Sequence, residues 1–460
     1  MKSRKTVFLP IETMSREYKY KIVLAAKLSQ YGFRVVVGHS THLDKIKHYF
    51  PSGAYIGKNL FKTLFPTDLS VFESYKKNGW SLIHLDEEGA IFAGEKYEWE
   101  QELNGRLDPK ILSDDDKVLC WGNFQAEYYK KMADGFSSVK IISSGQPKFC
   151  YNDLAYREVL DSDIEFEGKF ILFNMNYSVF NDQLGVSSFL ETSDSYRTDD
   201  IENYEYKRLI WLDQLNNFGR ILSIIKKMLQ DESFDEFKFV VRPHPAENDS
   251  IYKIFFENDD RVIVTNSNTA VEWSRKAFCT IHDGCTTGVE AYLAGCKVVN
   301  YRERFNNESV INVIPNSVGE IASSYSELKR KIFCEIKDYK IRNEYLCHEM
   351  ISNFNADINS FKEVIDETVL TLRNKKTGGV SNILSWHDVY HEIMSIFKNY
   401  IRYFFPGKQR LYIKDRKKFP GFSSSDVYAK ISRINNVDGY SVSVKKCKKD
   451  YFILESVDKG

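Results

Sequence analysis

The segment Arg242-Pro243-His244-Pro245-Ala246-Glu247 gathers a guanidinium, an imidazole and a carboxylate directly after the apolar run Phe237–Val241. Its two prolines fix the backbone on either side of His244. Arg242 offers a planar fork to a phosphate or carboxylate, and His244 can donate a hydrogen bond or a proton to a departing phosphate. The same residues also suit a rigid turn with a solvated Arg and a packed His. Further on, His282-Asp283-Gly284-Cys285-Thr286-Thr287-Gly288-Val289-Glu290 again follows an apolar run and leads into a helical pattern. Thr286 or Thr287 can cap that helix, Gly288 lets a ligand approach the backbone, and the free amides of the first turn suit a nucleotide phosphate. Glu290, one turn in, is placed for ribose hydroxyls or simply for the helix dipole.

Asp86-Glu87-Glu88-Gly89 follows a third apolar run, ending at Leu85. Carboxylates at a strand end can supply a general base for an acceptor hydroxyl; a solvated acidic turn is the plainer alternative. Pro10-Ile11-Glu12-Thr13 closes the first strand without a glycine-rich fingerprint, which argues against a dinucleotide there. His39 and His42 read as loop residues. Asp161-Ser162-Asp163 has the D-x-D form of a metal motif but precedes a strand, so it reads as linker. No His, Cys and carboxylate cluster shows metal-ligand spacing along the sequence, and neither a metal nor a cofactor is expected.

These motifs need strands and helices to hold them, and the hydrophobic pattern supplies both. Val7–Pro10, Phe33–Val37, Ser81–Leu85, Val118–Trp121 and Val139–Ser143 read as buried strands, with a helix over Arg16–Tyr31 closed by Gly32. A second series follows: Phe170–Asn174, Phe237–Val241, Arg261–Thr265, Cys279–Ile281 and Lys297–Tyr301 as strands, with helices between them. Strands alternating with helices imply parallel sheets covered on both faces, with ligands at the carboxyl ends of the strands. Asn174 ends one such strand and joins the candidate binding set. The reading gives a first Rossmann-like domain over 1–165, a second over 166–375, and a C-terminal extension over 376–460. Residues 177–204 read as a long loop or insertion.

Composition narrows the class. A chain of 460 residues is too long for one ordinary core, and 43% hydrophobic residues suffice for two. Basic and acidic residues balance at 64 each, which gives no case for nucleic acid. Eight cysteines without a C-x-x-C pair read as reduced core residues. The basic start has too short an apolar run for a signal peptide, and no stretch approaches a membrane span, so a cytoplasmic location is expected. In the tail, the aromatic, amphipathic stretch Val389–Phe405 precedes the basic run KQRLYIKDRKKF. Peripheral contact at the inner face of an anionic membrane is one reading, and an oligomerisation element or small accessory module the other.

The segments LPIETMSREYKYK, HLDEEG, CWGNFQAE, SGQPKF, VRPHPAEN and HDGCTTGVEAYLAG, in this order, resemble those of bacterial surface carbohydrate biosynthesis proteins. The R-P-H-P and T-T-G-x-E-A features are more distantly similar to retaining β-Kdo transferases. The resemblance implies the GT-B architecture, two doubly wound Rossmann-like domains facing across a cleft. It further implies a metal-independent glycosyltransferase that moves a Kdo-like ulosonic or nonulosonic acid from a CMP-sugar to a glycan or lipid-linked glycan of capsule or O-antigen. Arg242, His244, His282, Thr286, Thr287, Gly288 and Glu290 would then line the donor site, with His244 or His282 assisting departure of the phosphate. Glu247, or else Asp249, would be the carboxylate nucleophile of a double displacement, and Asp86 or Glu88 the base for the acceptor. Cys150 and Asp283 depart from the family's usual Asp and Asn. On the same fold, a polyol-phosphate transferase, a UDP-sugar epimerase and a non-catalytic assembly subunit are the alternatives.

Overall fold

The computed structural model describes residues 2–58, 66–87, 89, 92–150, 155, 157, 159, 164–192, 201–302, 310–335, 341, 343–402, 412 and 416–457. The chain divides into two compact units. One comprises Met1–Gly89, Glu100–Ser162 and His348–Gly460; the other comprises Ala90–Trp99 and Asp163–Cys347. Each is α/β and built on a parallel sheet, as the alternation of apolar runs and helical patterns implies.

In the first unit, β1 (Thr6–Ile11), β2 (Arg34–His39), β3 (Ala54–Gly57), β4 (Ser81–Leu85), β5 (Lys117–Cys120) and β6 (Lys140–Ser143) are parallel, in the order β2-β1-β3-β4-β5-β6. All six residues of β1 are buried, the mark of a strand covered on both faces. The helix Met14–Gln30 follows it and ends where Gly32, at φ +89°, donates its amide to the Ser29 carbonyl. Only glycine takes that left-handed turn without strain.

The C-terminal segment is not a separate extension. The hairpin β13 (Val442–Cys447) and β14 (Tyr451–Ser456) joins the first sheet, with β14 antiparallel to β2, so the eight-stranded order begins β13-β14-β2. Tyr451, Phe452, Ile453 and Leu454 are fully buried there. Arg34 and Glu455 form a buried ion pair at 2.7 Å, and the Arg34 guanidinium also reaches the Gly378 carbonyl. An apolar strand such as β14 serves better against the bare edge of β2 than in water. The amphipathic stretch is the helix Ile383–Arg402, with Trp386, Tyr390, Ile393 and Phe397 exposed along one stripe. Among the described residues, no helix is long and apolar enough to cross a membrane.

In the second unit, β7 (Lys169–Asn174), β8 (Phe237–Arg242), β9 (Val262–Val264), β10 (Cys279–His282), β11 (Val298–Tyr301) and β12 (Glu320–Ala322) are all parallel, in the order β12-β11-β10-β7-β8-β9. Alternation sends Ile171, Phe173, Phe239 and Val241 to a core shared with Phe218, Leu222 and Ile225 of the helix Ile201–Leu229. Phe170, Leu172 and Val240 face the other way, against Trp273 of the helix Ala270–Lys276. That helix opens with a complete capping box between Thr269 and Glu272. The stretch read as a long loop holds a short helix, Ser188–Thr192, and the start of the long one at Ile201.

Candidate functional site

Parallel register lines up four polar residues at the carboxyl edge of the second sheet. Asn300 of β11 stands opposite His282 of β10, His282 opposite Asn174 of β7, and Asn174 opposite Arg242 of β8. All four are buried. Among the described residues, both side-chain atoms of Asn174, Nε2 of His282, Nε of Arg242 and Oδ1 of Asn300 lack a hydrogen-bond partner. Leaving such groups unpaired costs roughly 1–3 kcal/mol each, so a row of them is unusual unless a polar ligand completes it.

His282 is held in one state. Its Nδ1 accepts from the Cys285 amide at 3.3 Å, so the proton of the neutral ring lies on Nε2. Burial holds the imidazole down at about 4, keeping it neutral near pH 7. The ring lies against Gly288, where an added Cβ would come within 2.3 Å of Nε2. The room that Gly288 leaves is therefore taken by His282 and not by a ligand. The capping expectation also changes. Cys285 is the N-cap of the helix Thr286–Leu293, and its Sγ accepts from the Thr287 amide at 3.5 Å and from the Thr287 hydroxyl at 3.1 Å. Thr286 and Thr287 are the first two residues of the helix itself.

Arg242 donates to the Ser267 carbonyl at 3.3 Å and to that of Asn268, whose φ is +57°. It thereby holds the loop between β9 and the helix Ala270–Lys276. Burial lowers the guanidinium to about 10, opposed by the charges of Glu272 and Glu290, and it stays cationic. His244 accepts from the Ala246 amide at 3.2 Å through Nδ1.

The carboxylates named as nucleophiles are engaged elsewhere. Glu247 is fully buried. Its Oε1 accepts from the amides of Tyr177 at 3.0 Å and His244 at 2.9 Å, and its Oε2 from the Tyr252 hydroxyl and, at 3.4 Å, from Asn181. Burial pushes this carboxyl above the usual range, against the pull of those four donors. The geometry makes Glu247 a brace between the loops after β7 and β8, because no lone pair is left to attack. Asp249 is paired with Lys253 at 2.6 Å. In the first unit, Asp86 is buried against Arg106 at 3.2 Å, and Glu87 against Lys21 at 2.7 Å, so neither is a solvated acid. Lys21 also pairs with Glu17, at 2.8 Å. Glu88 and Asp161-Ser162-Asp163 lie outside the described residues.

Beside the row sits a charged group of which the motifs reveal only Asp283. Asp283 meets Arg302 at 3.3 Å and the Tyr177 hydroxyl at 3.5 Å, and Arg302 reaches Asp213 at 3.3 Å. Burial raises the Asp283 carboxyl to about 6, against the opposing charge of Arg302. Asn300 was visible as a polar interruption of an apolar strand, and Arg302 as the first residue beyond it. Asp213, inside a long helix, gave no signal.

The row and the two sheets define an α/β protein of two Rossmann-like units, one of which carries a polar site at its carboxyl edge. No protein-family model matches the chain, and no curated protein sequence matches it. Solved structures similar to it include S. aureus MnaA with UDP, at 13% identity over 80% of this chain and 97% of that one, with a TM-score of 0.45. The wall teichoic acid polymerase TagF is similar at 12% identity over 80% and 89%, with a TM-score of 0.44. The Methanocaldococcus jannaschii UDP-GlcNAc 2-epimerase with UDP-GlcNAc and UDP gives 10% identity over 80% and 99%, with a TM-score of 0.43.

Proposed function

We propose that the second unit binds an activated sugar through its nucleotide phosphate, and that the chain is a glycosyltransferase of surface glycan synthesis. The observation that carries this is the row Asn300, His282, Asn174 and Arg242, buried at the carboxyl edge of a parallel sheet with polar atoms unpaired. Ligands of open α/β sheets bind at that edge. Arg242 supplies a fixed positive charge, neutral His282 an N–H donor, and the amides opening the helix Thr286–Leu293 a partial positive charge. In transfer, the bond from the anomeric carbon to the phosphate oxygen breaks, and one to an acceptor hydroxyl forms. The hydroxyl proton passes to a base, and the charge left on the phosphate is what these donors stabilise. Asp283, with its carboxyl near 6, is suited to carry a proton near neutral pH. The finer reading is a CMP-linked ulosonic acid as donor. The bracing role of Glu247 favours a second reading, an epimerase-type reaction on one bound nucleotide sugar, since that needs no double displacement.

The test is a thermal-shift comparison of CMP, CDP, UDP and GDP on the wild type and on Asn174→Leu. A ligand specific to the folded state at about 100 times its Kd adds about 2.7 kcal/mol of stability. Selective stabilisation by CMP supports the ulosonic acid donor, and by UDP the epimerase reading. Asn174→Leu should abolish the shift while leaving the ligand-free melting temperature unchanged or higher, because an unpaired buried amide is being replaced by an apolar side chain. No shift with any nucleotide sinks the donor site.

A further inference from the structure

At the carboxyl end of β2, three parts of the first unit converge. The helix Ser40–Ile46 carries His42. The turn before β14 carries Asp450, whose carbonyl accepts from the His39 amide at 2.9 Å, which fixes the turn beside the end of β2. The helix Ile383–Arg402 carries His387 and His391, four residues apart and hence on one face, with their rings stacked at 6.0 Å.

One potential ligand atom from each of His42, His391 and Asp450 lies within 4.8 Å of the other two. Three atoms so spaced surround a point less than about 3 Å from each. A tetrahedral zinc-class ion holds its ligands at about 2.0–2.2 Å, so side-chain rotations of about 1 Å would complete the coordination. His42 is only 5% exposed, yet neither of its ring nitrogens has a hydrogen-bond partner among the described residues, and the same holds for Nδ1 of His387. The His387 ring lies 5.9 Å from that of His42. Burying an imidazole with both nitrogens unpaired is costly. Arg416 takes Oδ1 of Asp450 at 3.4 Å, while Oδ2 lies 3.8 Å from Nδ1 of His391. A carboxylate tied on one oxygen and offered on the other is a usual outer-sphere arrangement.

We propose that His42, His391 and Asp450, with His387 at hand as a fourth ligand, bind one divalent transition-metal ion that ties the C-terminal segment to the end of β2. Imidazole and carboxylate donors suit zinc, cobalt, nickel or copper, whereas magnesium and calcium prefer all-oxygen shells. Linear spacing hides the site because its ligands come from opposite ends of the sequence. Only the His387-x-x-x-His391 pair was there to be noticed. The alternative is a purely packed cluster in which the His42 ring rests on that of Tyr451, at 5.3 Å and 20°.

The experiment uses the full chain without a polyhistidine tag, stripped with chelator and titrated with Co²⁺. One Co²⁺ per chain should bind, with the intense visible absorption of a four-coordinate site. Zn²⁺ should displace it and raise the melting temperature, and Mg²⁺ should do neither. His391→Gln and Asp450→Asn should each weaken binding at least about tenfold, while His348→Gln, outside the cluster, should not. His391 is part-exposed, so its variant stays informative even if His42→Ala fails to fold. Absence of stoichiometric Co²⁺, or equal affinity in His391→Gln and the wild type, overturns the site.

Discussion

Glu247 illustrates how a buried carboxylate can be indispensable without reacting. It collects two backbone amides, a phenol and a side-chain amide from the loops after β7 and β8 and the helix Ser250–Phe255. Truncating it strands those donors, at roughly 1–3 kcal/mol apiece. Glu247→Ala is therefore expected to lose on the order of 3 kcal/mol or more in urea unfolding, with any loss of turnover following from that. A Glu247→Ala protein of unaltered stability and no turnover would reinstate the nucleophile. The sequence located Arg242, His282 and Asn174 at strand ends because strand ends are written in local patterns. The role of Glu247 was not legible, since its partners Tyr177, Asn181 and Tyr252 belong to other elements. Cys285 as a cap was equally hidden, for a thiol is a weak acceptor that ordinary capping preferences rank behind a neighbouring threonine.

Among the elements, the apolar runs of both parallel sheets were legible because strands buried on both faces need no alternation to stand out. β3 was missed: AYIG is four residues long and ends in glycine. The hairpin β13–β14 was missed for another reason. YFIL is as apolar as any central strand, but the amphipathic stretch and the basic run KQRLYIKDRKKF before it drew the tail toward a surface role. Its placement against β2 leads to a concrete outcome. Ending the chain at residue 375 exposes the β2 edge, removes Glu455 from Arg34 and strips cover from the first core. Losing one partner of a buried pair alone costs about 3–5 kcal/mol. The truncated protein should be insoluble or molten by near-ultraviolet circular dichroism. A soluble, cooperatively melting 1–375 fragment would show that the hairpin is dispensable.

For the molecule as a whole, buried neutral histidines set the acid limit. Burial holds His84 and His282 at about 4, below the 6.5 of an unfolded chain. The unfolded state thus binds more protons between pH 6.5 and 4, and stability falls as pH drops through that window. Each contributes on the order of 3 kcal/mol. Asp283 acts in the opposite sense, because its carboxyl, raised to about 6, leaves the native state with the extra proton between pH 6 and 4. Burial raises the Glu247 and Asp213 carboxyls in the same sense as Asp283, but the two histidines lose over the whole window from pH 6.5 downward, and a net loss remains. Chemical denaturation midpoints from pH 7 to 4.5 should decline, and a flat profile would contradict the neutral burial of both histidines. The antiparallel seat of β14 has a further consequence, for the order of synthesis. β2 leaves the ribosome early, yet the strand that covers its edge ends at residue 456, after the entire second unit has been translated. At about 5–20 residues per second, that edge waits tens of seconds or longer. The nascent first sheet keeps that edge unpaired by β14 throughout, and a slowed ribosome would lengthen the exposure.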